Sequence, residues 1–475
     1  MSEQIDPILI QGGMGVAVSS WRLARAVSSL GHMGVVSGTA LDVVLARRLQ
    51  LGDPDGEIRR AIAHFPDPAV AQKVLARFFI PGGKPARDPF ANAAMFASRP
   101  ARRLQALAVL AGFVEVFLAK DGHDQPVGIN FLEKVQLPTP AILYGALLAG
   151  VDYVLVGAGI PRDIPILLDR LVCHEPATLP LHVTGSSAAD AFALTFDPSA
   201  VIATGARRPL RRPRFLAIVA SATLATSLAR HEGRVDGFVV EGPTSGGHNA
   251  PPRGPLTLND KGEPAYGPRD VVDLGRMRGL GLPFWLAGSC ATPGGLIDAQ
   301  RQGAAGIQVG TLFAFCDESG MDPLLRARVL EKVRAGQAQV HTDPLASPTG
   351  FPFKVVQIEG TLSEADVYAS RERHCDLGYL REIYRRANET PGYRCPAEPV
   401  DDYLRKGGRI EDTVERKCIC NGLLATVELG QRQAEGAEPP IVTSGARLLE
   451  VGRLLQDGKP AYSAADVVAY LTSGR

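Results

Sequence analysis

Two glycines stand directly before a histidine at Gly246-Gly247-His248, and no other tripeptide of this sequence is better equipped for chemistry. With no side chain at 246 and 247, backbone amides can approach a flat or anionic ligand, and the imidazole that follows is aimed at it. Taken alone, the tripeptide also fits a surface turn carrying a solvated imidazole. What precedes it favours the chemical reading. Residues 237–240 form an apolar run with the length and composition of a buried parallel strand, which breaks abruptly into Glu241-Gly242-Pro243-Thr244-Ser245. A second ligand loop is expected at Gly12-Gly13-Met14-Gly15, where the apolar run 7–11 meets an unhindered turn. Two more apolar runs, 283–287 and 306–309, exit into Gly288-Ser289 and Gly310-Thr311.

The elements that must hold these residues are short strands alternating with helical patterns. Strands are expected at 8–11, 34–37, 127–131, 153–156, 215–220, 237–240, 283–287 and 306–309, nearly all ending in Gly, Ser, Thr, Asn or His. That is the pattern of an α/β TIM (β/α)8 barrel, in which ligand-handling residues collect at the C-terminal ends of the strands. The last two exits occupy the position where such barrels bind a phosphate through backbone N–H groups.

Residues 42–122 change character to Arg- and Ala-rich helical sequence and read as an insertion after the second strand, with Arg99, Arg102 and Arg103 on a solvated face. Residues 181–183 and 201–203 read as a small excursion or a hairpin, and 256–264 as a hairpin tip in a long loop. From about 323 onward the sequence reads as helices and loops, notably 324–335, 363–387 and 444–455. The domain division is therefore a barrel over 1–322 and a helical C-terminal extension over 323–475.

Composition sets outer bounds. A chain of 475 residues, 45% hydrophobic with a formal net charge of +1, can bury a large core and lacks the basic excess of a nucleic-acid binder. The Arg-rich run 207–214 reads as a solvated loop or as a contact for a phosphorylated or carrier-bound substrate. The first residues carry no basic leader, and no segment is apolar for the ~20 residues a membrane span needs, so a cytoplasmic protein is expected. Seven cysteines argue against a disulfide framework. Cys375, Cys395, Cys418 and Cys420 lack paired Cys-x2-Cys knuckles, so packed thiols are expected rather than a metal site.

Together, Ile10-Gln11-Gly12-Gly13-Met14-Gly15, Gly246-Gly247-His248, and Gln308-Val309-Gly310-Thr311-Leu312-Phe313 with Glu318-Ser319 resemble the nitronate monooxygenase family, formerly called 2-nitropropane dioxygenases, over roughly 7–322. Its superfamily includes FMN-dependent enoyl-carrier-protein reductases, NADH:quinone reductases and trans-acting enoyl reductases of polyketide and polyunsaturated fatty acid synthases.

The resemblance implies non-covalent FMN at the barrel mouth. Gly12, Gly13 and Met14 would lie against the ring system, Asn130 near the ring or ribityl chain, Gly246 and Gly247 close by, and Gly288, Ser289, Gly310 and Thr311 at the phosphate. His248 would be the active-site histidine, supplying a proton or positive charge to nitronate oxygens as dioxygen converts the substrate to a carbonyl compound and nitrite. The alternative it implies is an NAD(P)H-dependent reductase of an enoyl thioester, borne on an acyl carrier protein, or of a quinone. Three departures stand out. The loop reads Glu-Gly-Pro-Thr-Ser-Gly-Gly-His rather than the shorter Glu-Ala-Gly-Gly-His. Ser221 stands where some members carry a flavin-contacting lysine. The insertion and extension resemble those of the larger trans-acting branch.

Overall fold

The structure, a computed structural model, describes residues 6–187, 190–203, 205, 207–433, 436–455 and 458–474. Residues 1–5, where the absence of a leader was read, lie outside that set. Eight parallel strands form one sheet: β1 (Leu9–Gln11), β2 (Gly34–Ser37), β3 (Val127–Leu132), β4 (Tyr153–Gly157), β5 (Arg214–Val219), β6 (Gly237–Glu241), β7 (Phe284–Ala287) and β8 (Gly306–Val309). β1 pairs with β8, and it closes on β2 where Gln11 N donates to Met33 O at 2.9 Å and Met33 N to Leu9 O at 3.1 Å. The result is the TIM barrel expected from the strand list.

Alternation along each strand builds two cores. Ile10, Val35, Tyr153, Leu155, Leu216, Val239 and Trp285 point inward and fill the barrel, while Leu9, Val36, Val154, Phe215 and Phe238 pack outward against the helices. Each fully buried aliphatic or phenylalanine side chain contributes about 1.5–3 kcal/mol. Register then brings the strand ends level, with Gln11 opposite Val309, Ser37 opposite Asn130 and Ala287 opposite Glu241. The site residues follow at one mouth.

After β2 come helices Leu41–Gln50, Glu57–Ala63 and Pro68–Phe78, and then Arg102–Ala119. This last helix packs closely on Thr139–Leu148. A Cβ at Gly145 would stand 1.9 Å from Val109 O, so only glycine permits the crossing.

The structure places two of the expected features more exactly. A hairpin does form in the excursion, but from Ala177–Pro180 with Ala193–Phe196, and Val201 ends a short helix rather than entering a strand. The Arg run keeps Arg208 and Arg211 exposed, as a solvated loop does, and stands away from the mouth. It lies at the N-terminal end of β5, where Arg211 pairs with Asp152, Arg212 with Asp169 and Asp236, and Arg214 with Asp6.

The C-terminal region carries the helices Pro323–Arg334, Ala365–Ser370, Val400–Arg405, Ile419–Ala425 and Ala464–Thr472, but also strands. β9 (Val340–Asp343) and β10 (Phe353–Val356) form an antiparallel pair. Within 363–387, Glu382–Arg385 pairs with Pro391–Arg394 and with Val183–Thr184 of the excursion. Strands this short carry little periodic signal, and a partner about 200 residues distant leaves no local mark.

Candidate active site at the C-terminal mouth of the barrel

One cavity opens at the C-terminal ends of the strands. It is lined by Gly12, Gly13 and Met14 after β1, Asn130 of β3, Gly246, Gly247 and His248 after β6, Gly288 and Ser289 after β7, and Gly310 and Thr311 after β8. Ser221 does not join them. It directly precedes helix Ala222–Ala229, where its Oγ accepts from Leu224 N at 3.0 Å, the ordinary use of a serine at that position.

The loop after β1 is held by two side chains beneath it. Gln11 donates to Gly12 O and to Ser19 Oγ, and its Oε1 accepts from Val35 N at 3.0 Å. Ser19 Oγ accepts from Met14 N and donates to Gly12 O, both at 2.8 Å. Asn130 lies so close that a Cβ on Gly13 would stand 2.3 Å from its own Cβ. The floor of the cavity here is bare main chain.

The His248 loop rests on the C-terminal region. Lys354 N of β10 donates to Gly247 O at 3.0 Å, and Gly247 N donates to Thr443 Oγ1 at 3.0 Å. Gly247 has φ +74°, the left-handed turn that sets His248 against the ring of Phe353, centroids 4.8 Å apart and edge-on. His248 Nε2 meets Ser347 Oγ at 2.7 Å. Below, the buried ammonium of Lys354 donates to Pro243 O and Asn249 Oδ1, both at 2.8 Å, and to Thr342 Oγ1 at 3.1 Å. β10 thus pins both ends of the loop.

At the opposite end, Gly445 N donates to Thr311 Oγ1 at 3.0 Å and Ser289 Oγ to Thr244 Oγ1 at 2.8 Å. Ser289 is held at φ +59°, uncommon outside glycine. Arg447 and Glu450 line this end, paired at 2.9 Å. A Cβ on Gly310 would meet only the flexible side chain of Met14, at 3.6 Å, so position 310 faces open cavity. Two lining atoms, Gln308 Oε1 and Ser245 Oγ, are buried without a hydrogen-bond partner among the described residues. Such atoms are rare in folded proteins and call for a polar ligand here.

Burial tunes the titratable groups. It raises the Glu241 carboxyl to about 7 despite the attraction of Lys354, so it is largely protonated in mildly acidic solution. Burial, reinforced by the charge of Lys134, holds His248 well below 6.5. The imidazole is therefore neutral at physiological pH, and the positive charge expected of it is absent. Lys134, pressed onto the Phe351 ring at 3.7 Å, is lowered by burial to about 7.

A second cavity adjoins the first, and Tyr379 and Leu380 line both. The seven cysteines are free, and burial pushes Cys418 up to about 11. Among the described residues no group of three or more His, Cys, Asp or Glu is disposed to hold a metal ion, and no helix is long and apolar enough to cross a membrane.

Sequence reasoning missed Ser19, Lys134, Ser347, Lys354 and Arg447. Lys354 left a signal, a single charge inside the apolar run Phe351-Pro352-Phe353-Lys354-Val355-Val356, which only a buried, fully bonded lysine explains. Ser19 lies just beyond the first glycine motif, while Lys134, Ser347 and Arg447 lie far from the glycine motifs in sequence.

Comparison with known proteins adds to this geometry. Residues 204–341 match the family model for nitronate monooxygenase. A probable nitronate monooxygenase of Staphylococcus haemolyticus (strain JCSC1435) is 30% identical over 122 residues, 26% of this chain and 33% of that protein. One from Bacillus subtilis (strain 168) is 32% identical over 111 residues, 23% of this chain and 30% of that protein. The chain thus matches about a third of the length of these curated relatives. The solved structure of FabK from Thermotoga maritima superimposes with a TM-score of 0.48 at 16% identity, covering 99% of this chain and 93% of the other. The match over residues 204–341 takes in the His248 loop and both phosphate-type strand exits, and over that segment the chain is similar to nitronate monooxygenases.

Proposed function

We propose that this protein is an FMN-dependent oxidoreductase that oxidises alkyl nitronates with dioxygen to carbonyl compounds and nitrite. The observation that carries the reading is the one cavity where bare main chain from four strand exits, a neutral imidazole and the unpartnered Gln308 Oε1 and Ser245 Oγ meet. A flat ring fits against Gly12, Gly13 and Asn130. A phosphate dianion fits at Gly288, Ser289, Gly310 and Thr311, with Arg447 as a neighbouring cation. When bound, the flavin supplies the electron transfer between substrate and dioxygen.

The chain's own residues do the rest. His248, neutral, offers the nitronate oxygens a hydrogen bond and can pass a proton. Glu241, largely protonated in mildly acidic solution, adds a second donor to the same wall without a repelling charge. Ser347 fixes the ring through Nε2.

A second reading is an NAD(P)H-dependent reductase of an enoyl thioester, free or on an acyl carrier protein, or of a quinone. The adjoining cavity favours it, since that space would take a longer substrate or a nicotinamide. Anaerobic mixing separates the two. Bleaching of bound flavin by propane-2-nitronate but not by NADH or NADPH supports the first, and rapid bleaching by NADH or NADPH supports the second. Colourless protein that takes up no added FMN refutes both. Substituting His248→Ala should leave FMN bound and slow reduction by nitronate roughly a hundredfold or more; an unchanged rate removes His248 from the mechanism.

A further inference from the structure

Three side chains link the His248 ring to the second cavity. His248 Nε2 lies 2.7 Å from Ser347 Oγ, Ser347 Oγ 2.8 Å from Thr349 Oγ1, and Thr349 Oγ1 3.4 Å from Lys134 Nζ. Ser347 is completely buried, and Lys134 lines the second cavity, which gives its ammonium access to solvent. Among the described residues, Thr349 is the one hydrogen-bond partner of Lys134 Nζ. Two hydroxyls in line between an imidazole and an amine, each able to accept one proton and donate another, make a conducting path.

We propose that Ser347, Thr349 and Lys134 form a proton relay that resupplies His248 from the second cavity, with Lys134 as the exchanging terminus. The inference rests on His248 acting on substrate as proposed above. As His248 gives a proton from one ring nitrogen, Nε2 takes one from Ser347 Oγ. Ser347 takes one from Thr349, and Thr349 from the Lys134 ammonium, which becomes a neutral amine and regains a proton from water. A proton taken up by His248 leaves by the reverse path, and no electrons move.

The electrostatics agree with this arrangement. Burial, reinforced by the Lys134 charge, keeps His248 neutral, so the pair keeps its proton on the lysine, whose own burial lowers the amine to about 7. Facing Lys134 are Glu133, itself bonded to His182 at 2.8 Å, and, across the second cavity, Arg381, Arg416 and the Glu382–Arg394 pair. Of these Glu133 favours the charged amine.

Two measurements test the relay. The first is an NMR titration of the His248 imidazole in the FMN-loaded protein and in Lys134→Met. The midpoint should rise when the lysine charge is removed, and an unmoved midpoint refutes the coupling. The second is anaerobic flavin reduction by propane-2-nitronate. Thr349→Val should slow it at least about tenfold, and Thr349→Ser, which keeps the hydroxyl, should restore the rate. Equal rates for Thr349→Val and the unsubstituted protein overturn the relay, as does equal loss in the Val and Ser variants. His248→Ala runs alongside. If it slows reduction while Thr349→Val does not, the relay fails and the function stands; if His248→Ala has no effect, the function itself fails, and the titration still judges the coupling.

Discussion

At the scale of single residues, the cavity works by placing each charge state through burial. Glu241 has its carboxyl raised from 4.5 to about 7, so folding takes up a proton between those values. Its contribution to stability is complete below 4.5 and is lost as pH rises through about 7. Glu241→Gln keeps the shape without the titration, so the melting temperature of the apoprotein variant should fall less steeply across that interval than that of the parent, with Asp42, raised to about 6, and the lowered His248 setting the slope that remains. A parallel fall in both would place the titrating group elsewhere. Gly310→Val tests the other end of the cavity. An added Cβ meets only Met14 Sδ, at 3.6 Å, so the variant should fold with a melting temperature near that of the parent apoprotein. Its branched side chain would then occupy cavity space, and FMN should be lost. Full flavin content would move the phosphate elsewhere. Residues of this kind were legible in the sequence because a glycine motif at a strand exit is local. Ser221 was misread because a serine there is equally well used as a helix cap, and nothing local separates the two.

At the scale of elements, the pair β9 and β10 decides how well the His248 loop is held. Lys354 is 2% exposed and bonds three acceptors, two of them in or beside the loop. Lys354→Met should leave those acceptors unpaired, costing about 1–3 kcal/mol of stability, and should release the loop. The Lys354 amine is lowered from 10.5 to about 8, so the unfolded chain binds more protons between those values and stability rises with pH there. Chemical denaturation across that interval should show a steeper rise in the parent than in the Met variant, where the lowered Lys134 amine still contributes. A variant as stable as the parent, with the same slope, would mean that the lysine is not load-sharing in the loop. The eight barrel strands were legible because each is a short apolar run buried on both faces. β9 and β10 were not: at four residues each, with Lys354, His341 and Asp343 among them, they resemble loop until the partner strand and the loop carbonyls are known.

At the scale of the whole molecule, barrel and extension share one site. The barrel supplies Gly12, His248 and Gly310, while the region after 322 supplies Ser347, Lys354, Tyr379, Gly445 and Arg447 and roofs the cavity with Ile419 and Leu423. It also completes the main core, in which Tyr462, Val467 and Leu471 pack with barrel-side residues such as Phe313 and Phe315. Tyr462 OH donates to Leu312 O at 2.7 Å, beside the phosphate-type exit of β8. Treating 1–322 as a barrel and 323–475 as an extension is then a division of the sequence and not of the folding unit. Removing 323–475 strips buried apolar surface worth about 25 cal/mol per Å2 from one whole side of the helical ring, far more than a marginally stable protein can lose. The fragment 1–322 should therefore lack a cooperative thermal transition and bind no FMN, and co-expression with 323–475 should restore both. A fragment that melts cooperatively and takes up flavin as the full chain does would show instead that the barrel folds alone and that the extension serves only the substrate side of the cavity.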